Sequence, residues 1–300
     1  MLRFVRLFTA LTLMIISHQA IARDKLKIIT SFSILADLVE QIGGDNIIVE
    51  SLVPPNADMH LFEPNPSDIA RLAAADLIIV NGLGFEPWFD RVASSLPQQV
   101  IRITASDGVK PLAFAHDDHG DGPHDGSDPH AWLDVNNVRS YVRVISAALA
   151  TSDPDHRTDY DQNLARYDAA LAALDADIRR AVAQIPPQRR KLVTTHDAFG
   201  YFSKAYDIEM RALLGIGREA QPSAKDLARI IRQIRAEAVP AIFLETMIDP
   251  RLARQIAIES GAKIGGTLYS DTLSAKNGPA GTYIAMMETN IKEITQALAP

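Results

Sequence analysis

Residues 116–134 read HDDHGDGPHDGSDPHAWLD. Four of the chain's 8 histidines fall in this stretch, at His116, His119, His124 and His130, with five aspartates between the first and the last. Neutral imidazole is the commonest protein ligand for zinc-class ions, and histidine-dense tracts are a compositional mark of metal binding. Gly120, Gly122, Pro123, Gly126 and Pro129 deny the stretch a regular helix or strand. It therefore reads as a polar loop crowded with donors, anchored at its far end by Ala131, Trp132 and Leu133. The alternative is a solvated linker whose histidines do nothing. If the loop binds metal, other parts of the chain must supply further ligands, and the elements that present them can be read in order.

The start reads as a targeting segment. Arg3 and Arg6 precede a short apolar run from Leu7 to Ile16, and Ala20-Ile21-Ala22 is an A-x-A cleavage pattern. This predicts a secretory signal peptide over residues 1–22, since the run is too short to span a bilayer. Cleavage removes two positive charges and takes the formal net charge from −7 to −9. The mature chain is expected to be exported, soluble and periplasmic. It has no cysteine, which excludes disulfides, thiolate metal sites and a lipid-modified N-terminal cysteine. An exported chain without disulfides relies on its core, and this one is long enough to bury one or two. The acidic balance, with no long basic patch, argues against nucleic acid and weakly suits a cationic ligand.

Apolar patterning predicts strands at Lys27–Thr30, Ile47–Val53, Leu77–Val80 and Val100–Thr104. Helices are predicted over Ile34–Ile42, closing on Gly43-Gly44, from Pro66 to Ala75, and from Glu86 to Leu96. Alternation of this kind implies a parallel sheet covered on both faces. After the histidine-rich loop, Val135–Leu149 reads as a helix. A longer one follows over 153–186, with Asp153 as its cap, Pro154 at its first position and Pro186-Pro187 as its stop. Tyr160, Leu164, Tyr167, Leu171, Leu174, Ile178 and Ile185 lay one stripe along it. Such a rod, about 45 Å long, suits a link between two lobes, and a coiled-coil arm is the competing reading. Alternation then resumes with strands at Leu192–Thr195, Ala241–Leu244 and Lys263–Tyr269. The helices between and after them run over Ala198–Tyr206, from Ser223 as N-cap to Ala238, from Asp249-Pro250 to near Gly261, and over Thr282–Leu298. The expectation is an α/β chain of two lobes, each a parallel sheet flanked by helices. An N-terminal lobe (23–152) and a C-terminal lobe (187–300) are joined by one long rigid helix.

Ligands of parallel α/β sheets bind beyond the carboxyl ends of the strands. Four potential metal donors stand at such ends: His60 after the second strand, His130 at the close of the histidine-rich loop, His196 directly after Leu192–Thr195, and Asp271 after the last strand. Two come from each lobe, so an ion could be held in the cleft between them. Taken singly, a histidine placed as His60 is more often a solvated loop residue, and one placed as His196 more often a hydrogen-bonded core residue; the shared position at strand ends is what favours ligands.

Several segments resemble the metal-binding solute receptors of ABC importers, the cluster that takes up zinc or manganese. They are HLFEPNPSD (60–68), DPHAWLD (128–134), TTHDAFGYF (194–202) and LYSDTLS (268–274), supported by EAQPSAKDL (219–227) and IFLETM (242–247). The resemblance covers nearly all of the mature chain. It implies two α/β lobes on a rigid helix, a metal cleft between them, and ligands at His60, His130, His196 and Asp271. It also implies delivery to a membrane permease driven by an ATPase, and it fits a monomer without enzymatic activity. Manganese receptors of this kind usually carry glutamate where His196 stands, and zinc receptors carry histidine. Three imidazoles and one carboxylate suit tetrahedral Zn²⁺, whereas Mn²⁺ prefers more oxygen and higher coordination. Zn²⁺ is therefore the expected cargo, with Mn²⁺ as the alternative.

The loop histidines His116, His119 and His124 resemble the ion-collecting loops of zinc receptors and are expected to form a weaker secondary site. Carboxylates expected to orient the imidazoles are Asp134, Asp197 and Glu245. Two other functions compete. A zinc hydrolase would need an open coordination position and a general base, and the chain holds no H-E-x-x-H. A metal buffer or adhesin would use the loop alone.

Overall fold

The computed structural model describes residues 25–113, 126–214 and 223–299. Two four-stranded parallel sheets form its frame. The first takes β1 (Leu26–Phe32), β2 (Ile47–Val53), β3 (Leu77–Val80) and β4 (Ile101–Thr104), in the order β2-β1-β3-β4. The second takes β5 (Lys191–His196), β6 (Glu209–Leu214), β7 (Ala241–Glu245) and β8 (Lys263–Leu268), in the order β6-β5-β7-β8. The central strands β3 and β7 are buried along their whole length, which explains their unbroken apolar sequences LIIV and AIFL. Each strand order reverses direction at a switch point, between β1 and β3 in one sheet and between β5 and β7 in the other. Crevices at such points are where open α/β sheets hold ligands.

The sequence does not signal β6 as it does the others. Its EMRALL alternates poorly, and it gains its place by pairing along β5 from Lys191–Glu209 to His196–Leu214. This edge strand completes a second sheet of the same order as the first.

Local chemistry sets the helix ends. Helix α1 (Ser33–Gly43) closes on Gly44, whose φ of 55° no ordinary side chain favours. Helix α2 (Pro66–Ala73) opens on a capping box, in which Asn65 accepts from the Asp68 amide and Asp68 accepts from the Asn65 amide. Helix α3 (Pro87–Ala93) follows the β3 turn, and α4 (Val135–Ser152) follows a short turn at Ala131–Leu133. The long helix α5 spans Arg157–Ala183, 27 residues and about 40 Å. Its start corrects the expectation at Asp153. Pro154–His156 form a separate 3-10 turn, and Asp153 caps neither element with its side chain. The Asp153 carboxylate instead accepts from the Tyr160 hydroxyl, 2.8 Å away, and lies 2.7 Å from His156 Nδ1.

Beyond α5 come α6 (Gly200–Tyr206), α7 (Ala224–Ala236), α8 (Arg251–Ser260) and α9 (Tyr283–Leu298). Ser223 and Thr282 cap α7 and α9. The buried stripe of α5, Tyr160, Tyr167, Leu171, Leu174, Ile178 and Val182, packs on α1 and α4 from the first half of the chain and on α9 from the second. This disposes of the coiled-coil reading, since the stripe is covered by the chain's own helices. One apolar core runs from Ile28 and Leu77 through Trp132 and Leu171 to Phe243, Leu268 and Met286. A smaller one lies under α7 and α8 around Ile242 and Ile256. Most helices are thus laid against one core that reaches both sheets, and α7 and α8 cover the smaller one. Among the described residues, no helix is long and apolar enough to cross a membrane.

Candidate metal site

His60 lies in the loop after β2, where its amide donates to Asp58 Oδ1 at 3.0 Å. His130 precedes the turn that leads into α4, and its amide donates to Asp128 Oδ1 at 2.9 Å. Both are short Asp-x-His turns, in which the aspartate side chain accepts the amide two residues on. His196 is the last residue of β5, and Asp271 follows β8. The fold brings the four together: one donor atom from each lies within 4.8 Å of every other. His130 and His196 are fully buried, Asp271 is 3% exposed, and His60 is half-buried. The three imidazole centroids stand 5.5–5.7 Å apart.

All three rings aim Nε2 at the Asp271 carboxylate. The distances are 3.3 Å from His60 to Oδ2, 3.1 Å from His196 to Oδ2, and 3.5 Å from His130 to Oδ1. All three nitrogens are buried and lack a hydrogen bond of good geometry, with the Asp271 carboxylate as their neighbour. Buried polar atoms are rarely left so. Three imidazole nitrogens and a carboxylate facing one point are the requirement for holding a small cation.

The opposite ring nitrogens are held. His130 Nδ1 lies 2.8 Å from Asp128 Oδ1, and His196 Nδ1 lies 2.6 Å from Glu245 Oε2. Since a carboxylate accepts, the proton belongs on Nδ1 in both rings, which frees Nε2 to bind a cation. Glu245 does more: its Oε1 accepts from the amides of Thr195 and His196, at 2.8 and 2.9 Å, and its Oε2 from the Ser270 hydroxyl at 2.8 Å. Ring packing completes the setting. Phe85 meets His60 and His130 edge-on, at 5.4 and 5.9 Å, and Trp132 meets His130 at 5.3 Å.

Of the carboxylates expected to orient the imidazoles, the structure puts Glu245 in that place. Asp134 serves elsewhere, as the N-cap of α4, accepting from the Asn136 amide at 2.9 Å. Asp197 is half-buried in the turn after β5. Sequence reasoning missed Asp128, for which the Asp-x-His spacing was an available signal. It also missed Glu86, which is buried and accepts from Ser31 Oγ at 2.6 Å, the Asn81 amide at 2.7 Å and the Gly82 amide at 3.0 Å. Asn81 in turn donates to the Pro129 carbonyl at 3.0 Å and accepts from the Tyr141 hydroxyl at 2.7 Å. Glu86 thus fixes the β1 and β3 ends of the first sheet much as Glu245 fixes β5 in the second. The loop histidines His116, His119 and His124 lie outside the described residues.

Electrostatics favours a cation here. Burial disfavours charge on His196, but Glu245 and Asp271 outweigh it and push its pKa up to about 10. Burial likewise opposes charge on Asp271, yet the imidazoles, His196 first, hold its carboxyl well below the usual range. His60 is lowered, chiefly by burial, with Asp271 pulling the other way. Burial raises Glu86 to about 7 against its hydroxyl and amide donors.

A cluster of three imidazoles and a carboxylate, buried beyond the strand ends of two parallel sheets that share a core with one long helix, defines a two-lobed receptor for a metal ion. The chain belongs to the ZnuA family, described as zinc-uptake complex component A, periplasmic, which matches residues 28–297. It is 34% identical to the iron-binding protein YfeA of Yersinia pestis, over 98% of this chain and 96% of that one. It is 31% identical to the manganese ABC transporter substrate-binding lipoprotein PsaA of Streptococcus pneumoniae, over 92% and 89%. Among solved structures it is similar to the periplasmic zinc binding protein TroA of Treponema pallidum, with a TM-score of 0.85 and 31% identity over 92% of this chain and all of that one. The protein is therefore a metal-binding receptor of an ABC transporter, a cargo carrier and not an enzyme. That class supplies its partners, a permease and an ATPase.

Proposed function

We propose that this protein is exported through a cleaved signal peptide at residues 1–22, captures Zn²⁺ between its lobes through His60, His130, His196 and Asp271, and hands it to its permease. The lobes are assigned to 23–152 and 187–300, with 153–186 as the link. One observation carries the reading. Three buried Nε2 atoms and one carboxylate face a common point, a nitrogen-rich set that matches the tetrahedral preference of Zn²⁺. Four protein donors fill that shell and leave no open position for a catalytic water, which argues against a hydrolase. The chain lacks the cysteine through which a lipoprotein is anchored, so it is assigned to the periplasm as a soluble receptor.

A second reading has its own support. Asp271 turns both oxygens toward the imidazoles, Oδ1 to His130 and Oδ2 to His60 and His196. A bidentate carboxylate makes the site five-coordinate, which suits Mn²⁺ or Fe²⁺ better than four-coordination does. Competition between Zn²⁺ and Mn²⁺ for the purified protein, with elemental analysis of the retained metal, decides between them. The expected result is one tightly held zinc per chain that Mn²⁺ in excess fails to displace. Retention of manganese against zinc overturns the zinc assignment. Undiminished metal affinity in the separate alanine variants of His60, His130 and His196 overturns the site.

A further inference from the structure

Asp271 is carried by the second half of the chain, but the bonds around it lead to the first half. Its neighbour Ser270 offers a carbonyl that accepts the Trp132 indole Nε1–H at 2.8 Å. On the other side, the Leu273 amide donates to Ser33 Oγ at 3.0 Å. The Asn56 amide donates to Thr272 Oγ1 at 2.9 Å and to the Leu273 carbonyl at 3.1 Å. Further along, the Tyr283 amide donates to Asp37 Oδ2 at 2.8 Å, and the Tyr283 hydroxyl to the Trp132 carbonyl at 2.8 Å. Ser33 and Asp37 belong to α1, Asn56 to the loop after β2, and Trp132 to the turn beside His130.

On the N-terminal side of Asp271 the strap is held by the second half. Tyr269 exchanges two hydrogen bonds with Asn290 of α9, its amide donating at 2.9 Å and its carbonyl accepting at 2.7 Å. Ser270 Oγ donates to Glu245 at 2.8 Å. The Ser270 carbonyl, Thr272 and Leu273 all bond to partners from the first half, which flank Asp271 on both sides, and the next residue, Ser274, bonds back to Ala280. His196, in contrast, is gripped by Glu245 of β7 through both its amide and its Nδ1.

We propose that Asp271 is positioned by the N-terminal lobe, with Trp132, Ser33 and the Asn56 amide as its positioning groups. Asp271 then forms with His60 and His130 a three-donor half-site that persists without metal, and His196 is the one ligand that the C-terminal lobe brings to close it. The inference rests on the reading of these four side chains as the metal's ligands. It divides them three to one between the lobes, where chain position alone divides them two to two.

Two measurements on the full-length protein test this. The first is hydrogen exchange without metal. The Asn56 and Leu273 amides and the Trp132 indole N–H should exchange slowly, as buried bonded groups do. Exchange at the rate of unprotected groups overturns the half-site, whatever the ligands prove to be. The second uses Zn²⁺ and a competing chelator. The double variant Ser33→Ala, Thr272→Val removes one hydroxyl from the strap and the α1 hydroxyl that it meets, and should weaken zinc about tenfold, the low end of what partners behind metal ligands contribute. Thr272→Ser, which keeps its hydroxyl, should bind as the wild type does. In an Asp271→Ala background the double variant should cause no further loss, and in a His196→Ala background the loss should persist. An equal loss in the Asp271→Ala background, or no loss in the wild type, overturns the proposal. Wild-type affinity in Asp271→Ala alone refutes the ligand reading and leaves the exchange result to decide the docking.

Discussion

Two of the three imidazoles have the far nitrogen fixed by a carboxylate, His130 by Asp128 and His196 by Glu245. Glu245→Gln keeps the shape of the residue but no longer offers two carboxylate oxygens to four donors. Zinc affinity should fall by about 10- to 100-fold, while the far-ultraviolet circular dichroism stays unchanged. Asp134→Ala should behave in the opposite way. Its carboxylate caps α4, so urea unfolding should show a loss of about 1 kcal/mol with zinc affinity untouched. A fall in affinity there would return Asp134 to the site. Protons give a third test. Without metal, the pKa of His196 in the folded chain is pushed up to about 10 from an ordinary 6.5, so at pH 8 the ring carries a proton that it cannot keep once Nε2 binds a cation. Metal uptake at pH 8 should release about one proton per ion, read from calorimetry in buffers of different ionisation enthalpy. Apparent affinity should fall about tenfold per pH unit below 10 from this group alone, and more steeply below 6.5, where His60, its pKa lowered chiefly by burial, also takes up a proton. The same shift stabilises the metal-free fold fully below 6.5, and that contribution fades as pH rises through 10. Zero proton release at pH 8 contradicts the assigned charge.

Elements were legible where one local pattern sufficed. LIIV and AIFL are buried strands in any context that covers both faces, and the cap at Ser223 sits at the start of an apolar stripe. Strand ends in a parallel sheet are where ligands gather, so His60, His130, His196 and Asp271 could be picked out before any coordinate was known. What stayed hidden depends on distant partners. EMRALL becomes a strand because β5 offers it an edge. Glu86 matters because Ser31, 55 residues away, meets it in the core. The bonds from Trp132 and Ser33 to the Asp271 strap span sequence separations of 138 and 240. Helix α5 belongs to both groups: its stripe was visible, and its partners were not. Leu171 is fully buried in that stripe, and Leu171→Ala should cost about 2–5 kcal/mol of stability through lost contact and cavity, measured by urea unfolding without metal. A loss under 1 kcal/mol would mean that α5 is not packed as a spine.

The whole molecule combines two sheets with one main core. Because that core crosses from the first sheet through α5 to the second, thermal unfolding should be a single cooperative transition even though two lobes can be distinguished. The cation site draws donors from both sides of the crevice, so a bound ion joins elements that the core already couples. An ion that binds the folded chain alone stabilises it by mass action, by about 4 kcal/mol when free metal stands at 1,000 times its dissociation constant. Zinc at that excess should therefore move the entire transition upward without splitting it, and a chelator should move it back. The His196→Ala variant should show a smaller upward shift at the same free zinc, because it has lost a ligand and not the core. Two transitions, with zinc displacing only one, would mean that the lobes fold independently and that the metal is held by one of them.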